Sequence, residues 1–109
     1  MKSVEAIIRV EKAIEVRTAL INKGYSAMSI STVIGRGEQK EREYSMALGI
    51  EVTYDLFART YIMLIVDDEK VDEVVDIIQK SATTNSRGDG IIFVRPIEKA
   101  IRIRNGEKL

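Results

Sequence analysis

A strand signal followed at once by a helix signal, occurring twice, constrains this chain more than any other feature. The second occurrence is the clearer. Thr60 to Val66, "TYIMLIV", is a continuous apolar run of the kind found in strands buried on both faces. Behind it Val71, Val74, Val75 and Ile78 fall at i, i+3, i+4 and i+7, which is one face of an amphipathic helix. Asp67 and Asp68 precede that helix as N-cap candidates that also suit its dipole. In the first occurrence Ser3 to Val10, "SVEAIIRV", reads as a buried strand. Ala13, Val16 and Leu20 then form a helical stripe that Ile21 extends, and Lys23–Gly24 is a helix stop. Each helix leads into a further strand. Ala27 to Gly35 alternates at first, with Met28 and Ile30 set against Ser29 and Ser31, which predicts one packed face. Ile91 to Val94 is short, apolar and stopped by Pro96. Ala100 to Gly106 alternates and predicts a short closing strand.

The order is strand–helix–strand, long insert, strand–helix–strand, short strand. It predicts an α+β fold, the ferredoxin-like double βαβ sandwich, with an antiparallel sheet and both helices on one face. At 109 residues, 1–109 reads as a single domain. A strand such as "TYIMLIV" needs cover on both faces, and one short chain has no second layer to supply. Sheet-to-sheet association of several copies would provide it.

Composition excludes much chemistry. The chain has no Cys and no His, which removes thiol chemistry, thiolate metal sites and any step that needs imidazole. Its 17 basic and 17 acidic residues cancel, which argues against nucleic acid or an anionic membrane as the main partner. Glu5, Arg9 and Glu11 interrupt the N-terminal apolar residues, so a signal peptide is not expected there. No apolar run approaches the ~20 residues of a membrane span. The expected location is cytoplasmic. No nucleophile–base pair, P-loop or dinucleotide fingerprint is present, so no catalytic residues and no enzyme activity are expected.

Three polar features remain. "TNSRGDG", Thr84 to Gly90, is either a plain turn or a loop whose N–H groups turn toward an anion. "IRIR" sets Arg102 and Arg104 on one strand face, as a solvated edge or as a guanidinium pair for phosphate. The insert from Gly35 to Phe57, "GRGEQKEREYSMALGIEVTYDLF", has no steady period. A long loop of that kind in a small domain is uncommon, and a pure linker would carry fewer apolar side chains. It is either an arm that folds onto a ligand or partner, or an extended hairpin that decorates the fold.

These features, in this order, resemble the PII signalling family over nearly the whole chain. "GRGEQK" resembles the G-x-G-x-Q-K that begins the family's T-loop. "TTNSRGDGIIFV" resembles its B-loop signature, T-x-x-x-G-D-G-K-I-F-V, and "IRIRNGE" resembles its closing I-R-I-R-T-G-E. The resemblance implies a compact trimer of ferredoxin-like subunits, with a T-loop at about 36–57 and a B-loop at about 83–90. It implies no prosthetic group but three ligands: ATP or ADP in clefts between subunits, Mg2+ with the ATP, and 2-oxoglutarate at the T-loop base.

The resemblance extends to single positions. Gly88, Asp89 and Gly90 match the loop that approaches the nucleotide phosphates, and Arg87 is placed to reach them. Arg102 and Arg104 match the arginines that clasp those phosphates. Gly37, Gln39 and Lys40 match the T-loop base, where the glutamine helps hold magnesium and the oxo-acid. Arg59 stands where the family usually has a lysine for the effector's distal carboxylate. Ile7, Gly35 and Ser29 lie where the family borders the adenine. Arg42, Tyr44, Met46, Leu48, Ile50 and Tyr54 fall in the target-facing part of the T-loop.

There are departures. Ile91 replaces the lysine after G-D-G, and Met63 replaces a frequent glutamate. The Y-[KR]-G-[AS]-[AE]-Y motif is absent, so uridylylation is not expected. "GRGEQK" and "YDLFARTYIMLIV" are more similar to the nitrogenase-associated branch, NifI. In that branch two paralogous subunits assemble and inhibit dinitrogenase, and ATP and 2-oxoglutarate relieve the inhibition. This chain is therefore expected to form a homotrimer or a hetero-oligomer with a paralogue. Two other readings stay open: a regulator of an ammonium transporter or other metabolic enzyme, and a structural subunit whose nucleotide site has decayed.

Overall fold

A computed structural model describes the backbone of residues 1–36, 43–47, 50–54 and 56–109, and the side chains of 1–36 and 56–109. The elements in order are β1 (Lys2–Arg9), α1 (Ala13–Asn22), β2 (Ser29–Gly35), β3 (Glu43–Ala47), β4 (Ile50–Tyr54), β5 (Phe57–Val66), α2 (Val71–Ala82) and β6 (Gly90–Pro96). Four strands make one antiparallel sheet in the order β2-β5-β1-β6. This is the ferredoxin-like α+β arrangement that the sequence predicts.

Of the four strands, the two with the most buried residues, β1 and β5, take the centre. One face of the sheet carries Val4, Ala6 and Ile8 of β1 with Ile62 and Leu64 of β5. Over it lie Val16 and Leu20 of α1, and Val74 and Ile78 of α2. Each fully buried Val, Leu or Ile among them contributes about 1.5–3 kcal/mol relative to exposure. The helical stripe on α2 is therefore the core face, as its spacing requires. Among the described residues, no helix covers the opposite sheet face. Tyr61 and Met63 are only half-buried there and Ile65 is exposed. The run "TYIMLIV" is thus covered on one side within a single chain.

Helix α1 ends as its sequence dictates. Gly24, at φ +92°, reverses the chain, so that the Tyr25 N–H reaches the Leu20 carbonyl at 2.9 Å and the Gly24 N–H reaches Ile21 at 3.0 Å. The Tyr25 hydroxyl then donates to Glu73 on α2 at 2.8 Å, which ties the two helices together.

Five local expectations need correction. Ile21 is 38% exposed, because one residue beyond Leu20 turns about 100° away from the packed stripe. Asp67 occupies an N-cap position but makes no side-chain cap bond; the chain enters α2 through a 3-10 turn, Asp68–Lys70, and Asp68 takes the Met1 ammonium instead. β5 starts at Phe57, because pairing with β2 continues to Gly35. β2 itself is an edge strand whose Ile30 is 44% exposed, so the packed face expected there is thin. Ala100 to Gly106 is not a closing strand. Gly106, at φ +72°, folds the segment back on itself: Arg102 N–H meets Glu107 O at 2.8 Å, and Leu109 N–H meets Ala100 O at 3.0 Å. Arg102 and Arg104 therefore do not share a strand face.

In the insert, β3 and β4 pair as a separate two-stranded ladder from Glu43↔Tyr54 to Ala47↔Ile50.

Candidate functional site

Helix α2 ends where Thr83 turns to an extended backbone, its N–H bonded to Gln79 O at 3.1 Å. The next six residues close around one carboxylate. Asp89 Oδ2 accepts the Thr84 N–H at 2.7 Å, the Ser86 N–H at 3.3 Å and the Thr83 hydroxyl at 3.3 Å. Asp89 Oδ1 accepts the Thr84 hydroxyl and, at 3.0 Å, Arg9 Nε. The same guanidinium donates from Nη2 to the Arg87 carbonyl at 2.7 Å. The Thr84 hydroxyl first, then its N–H, and also Arg9 and the Ser86 N–H, hold the Asp89 carboxyl well below the usual carboxylate range.

Glycine is required at the end of this loop. Gly90 has φ +108°, and a Cβ there would lie 1.8 Å from the Ile7 carbonyl oxygen. Gly88, at φ +92°, also occupies the left-handed region. The segment is thus a tight, internally braced loop that packs against β1. Among the described residues, none of the bonds that brace it uses the N–H of Arg87 or Gly88. Such groups are free to face an anion, whereas the Asp89 carboxylate is consumed inside the loop.

The strand register gathers further residues at this end of the sheet. Gly90 pairs with Ile8, Arg9 with Arg59, and Arg59 with Val33. Gly35 pairs with Phe57, so the insert leaves and rejoins the sheet here as well. The Arg59 guanidinium lies 5.4 Å from the centre of the Phe57 ring, within cation–π range.

The sequence that builds this architecture matches a known family. A family model described as "Nitrogen regulatory protein P-II" covers residues 1–107. The chain belongs to the P-II family. It is 46% identical over 108 residues to the "Nitrogen regulatory protein P-II" of Nostoc punctiforme, with 99% of this chain and 96% of the relative covered. It is 45% identical to the "Nitrogen fixation nifHD2 region GlnB-like protein 1" of Methanosarcina barkeri, with 99% and 98% covered. It is 40% identical to the "Nitrogen fixation nifHD region GlnB-like protein 1" of Methanothermococcus thermolithotrophicus, with 98% and 97% covered. At this level the protein is a nitrogen-regulatory signal transducer of the P-II type.

The residues that the P-II resemblance singles out fall into three groups. Ile7, Gly35, Arg59 and Arg87 to Gly90 lie at the loop end of the sheet. Ser29 is exposed at the start of β2, opposite Met63. Arg102 and Arg104 stand apart. β6 carries the chain from Gly90 beside Ile8 to Pro96 beside Lys2, the length of the sheet, and the exposed hairpin departs from that far end. Within the hairpin Arg102 Nε lies 3.7 Å from Glu107. Gly37, Gln39, Lys40, Arg42 and Leu48 lie outside the described residues, as do the side chains of Tyr44, Met46, Ile50 and Tyr54.

Sequence reasoning missed Arg9, and it placed Thr83 and Thr84 in the loop without giving either a role. The signal was present in two places: a lone cation at the end of an apolar strand, and paired hydroxyls shortly before "GDG". Nothing local links the two. Among the described residues, no helix is long and apolar enough to cross a membrane.

Proposed function

We propose that this P-II protein binds ATP or ADP at the Thr83–Gly90 loop and 2-oxoglutarate near Arg59, and regulates a target through the insert at 36–57. The observation that carries this reading is the Asp89-centred loop. It is held by the chain's own bonds, and its glycines and N–H groups lie at the same sheet end as the insert's two roots. Binding there costs little loop ordering. The ligand acts as a switch only to the extent that it binds two insert conformations with different affinity; tight binding alone shifts nothing. Magnesium arrives with the nucleotide and neutralises phosphate charge. Gln39 is proposed to help hold it, Lys40 to attend the oxo-acid, and Arg42 and the insert's apolar residues to meet the target.

The uncovered sheet face and the remote position of Arg102 and Arg104 both favour an assembly. In it, one subunit's hairpin supplies the arginines that a neighbour's loop lacks. A trimer, of this chain alone or with a paralogue, is the proposed state.

The proposed target is dinitrogenase, inhibited when nitrogen is plentiful. The names of the Methanosarcina and Methanothermococcus relatives, which place them in nitrogen-fixation regions, support it. Adding purified protein to dinitrogenase and following acetylene reduction tests this. Inhibition relieved by ATP–Mg plus 2-oxoglutarate is expected; unchanged reduction at saturating protein overturns the target. The Nostoc relative, named only as a P-II protein, favours a second reading, a regulator of an ammonium transporter or another metabolic enzyme. Ile91 favours a third, a structural subunit with a weakened nucleotide site. It is 59% exposed on the helix-free face, where the family's lysine would stand.

A further inference from the structure

Arg59 of β5 stands directly across from Arg9 of β1. Opposed side chains in an antiparallel pair have Cβ atoms about 4.5–5.5 Å apart, and like charges placed there repel. The two guanidiniums part in different directions. Arg9 reaches the Asp89 carboxylate through Nε and the Arg87 carbonyl through Nη2. Arg59 turns back along its own strand, two residues toward the insert, and lies 5.4 Å from the centre of the Phe57 ring. Residues two apart on a strand share a face, so the pleat itself brings this pair together.

The two anchorages differ in what they consume. Arg9 spends N–H donors on its oxygen partners. An aromatic face holds a guanidinium through the ring quadrupole and leaves its N–H fork unspent. Among the described residues, no carboxylate lies in salt-bridge range of Arg59, whereas Arg9, Arg95 and Arg102 each have one. Arg59 is therefore steadied and still able to make a two-pronged contact with a carboxylate. Arg59 and Phe57 are both half-buried. Phe57 pairs with Gly35, where a Cβ would meet no atom within 4 Å, so the space across the strand from Phe57 is open.

We infer that Phe57 is a positioning residue for the oxo-acid: its ring holds the Arg59 guanidinium at the root of the insert with the N–H fork open to a carboxylate. This rests on the reading that 2-oxoglutarate binds near Arg59, and it adds that the affinity depends on an aromatic ring at position 57. Phe57 acts through Arg59. A cation already held in place loses less side-chain freedom when the carboxylate arrives.

The test is calorimetric titration of 2-oxoglutarate into the full chain at saturating ATP–Mg, with ATP–Mg titrated separately and circular dichroism to confirm folding. Phe57→Leu keeps apolar bulk and removes the ring. It is expected to weaken 2-oxoglutarate binding by roughly two- to fivefold and to leave ATP–Mg affinity unchanged. Phe57→Tyr keeps the ring and is expected to match wild type. Should Phe57→Leu not fold, Phe57→Met is expected to show the same loss. In the protein without ligand, the ring current of Phe57 is expected to move the Arg59 Hδ resonances upfield of their positions in Phe57→Leu. Equal positions overturn the inference, and so does equal 2-oxoglutarate affinity in Phe57→Leu and wild type. Phe57→Tyr as weak as Phe57→Leu overturns it too, since packing and not the ring would then be at work. A parallel loss of ATP–Mg affinity does the same, as the mark of general damage to the sheet end. A wild type that binds no 2-oxoglutarate overturns the oxo-acid reading itself, and the inference falls with it.

Discussion

Arg9 and Asp89 are 80 residues apart in the chain, yet the Nε of one lies 3.0 Å from the carboxylate of the other. The contact joins the end of the first strand to the loop before the last one. It also makes Asp89 a brace, its carboxylate consumed by bonds inside the loop and to Arg9. Arg9→Met removes both this bond and the one to the Arg87 carbonyl. Hydrogen exchange at the Thr84 and Ser86 amides is expected to speed up by tenfold or more, since a charge-assisted bond contributes about 1.5–3 kcal/mol. Lysine at this position is expected to recover only part of the protection, having no planar fork. Unchanged exchange in Arg9→Met contradicts the bracing role.

Gly90→Ala combines a left-handed φ with a Cβ 1.8 Å from the Ile7 carbonyl. Backbone must move to admit it. A loss of at least about 1–3 kcal/mol is expected from strain at such a site, read as a fall in the denaturant midpoint. Gly24→Ala meets no atom within 4 Å and carries only the φ penalty, so it is expected to cost less.

Glu5 has its carboxyl pKa lowered to about 2, chiefly by the Arg95 hydrogen bonds and then by the Tyr61 hydroxyl. A carboxylate with a depressed folded-state pKa stabilises the fold fully above its unfolded value. That contribution is lost as the pH falls from about 4.5 through about 2. The stability difference between wild type and Glu5→Gln is therefore expected to shrink across that window and stay constant from pH 5 to 7. Measured denaturation curves with a pH-independent difference would contradict this.

Two isoleucine-sized apolar residues on α1 are expected to behave oppositely. Leu20 is fully buried between the sheet and α2, and Leu20→Ala is expected to cost about 2–5 kcal/mol. Ile14 is 75% exposed, and Ile14→Ala is expected to stay within about 0.5 kcal/mol. Chemical denaturation of both variants checks the pair.

The elements that could be read from the sequence were those with a period. Val71, Val74, Val75 and Ile78 declare a helix face in any context, and "TYIMLIV" declares a central strand. The loop glycines were legible because few residues tolerate positive φ. Arg9 and Thr84 were not, because their bonds to Asp89 depend on which strands become neighbours. Glu5 was hidden for the same reason: its partners, Tyr61 and Arg95, come from two other strands. The alternation "IRIR" misled because the Gly106 reversal, a local turn preference, overrides a two-residue period in a segment that pairs with itself and not with the sheet.

Ile91→Lys is expected to strengthen ATP–Mg binding by roughly ten- to a hundredfold, the equivalent of one added charge-assisted bond. Competition with a fluorescent nucleotide reads the change. An unaltered or weaker affinity would mean that Arg87 already fills that role, or that the site lies elsewhere.

The central claim is that this P-II chain senses a nucleotide and an oxo-acid together, and calorimetric titration of the purified assembly reaches it most directly. ATP–Mg is expected to bind with measurable heat at one site per chain, and 2-oxoglutarate is expected to bind only when ATP–Mg is present. Absence of both heat and thermal stabilisation up to millimolar ATP–Mg, with or without 2-oxoglutarate, would contradict the claim and leave the structural-subunit reading in its place.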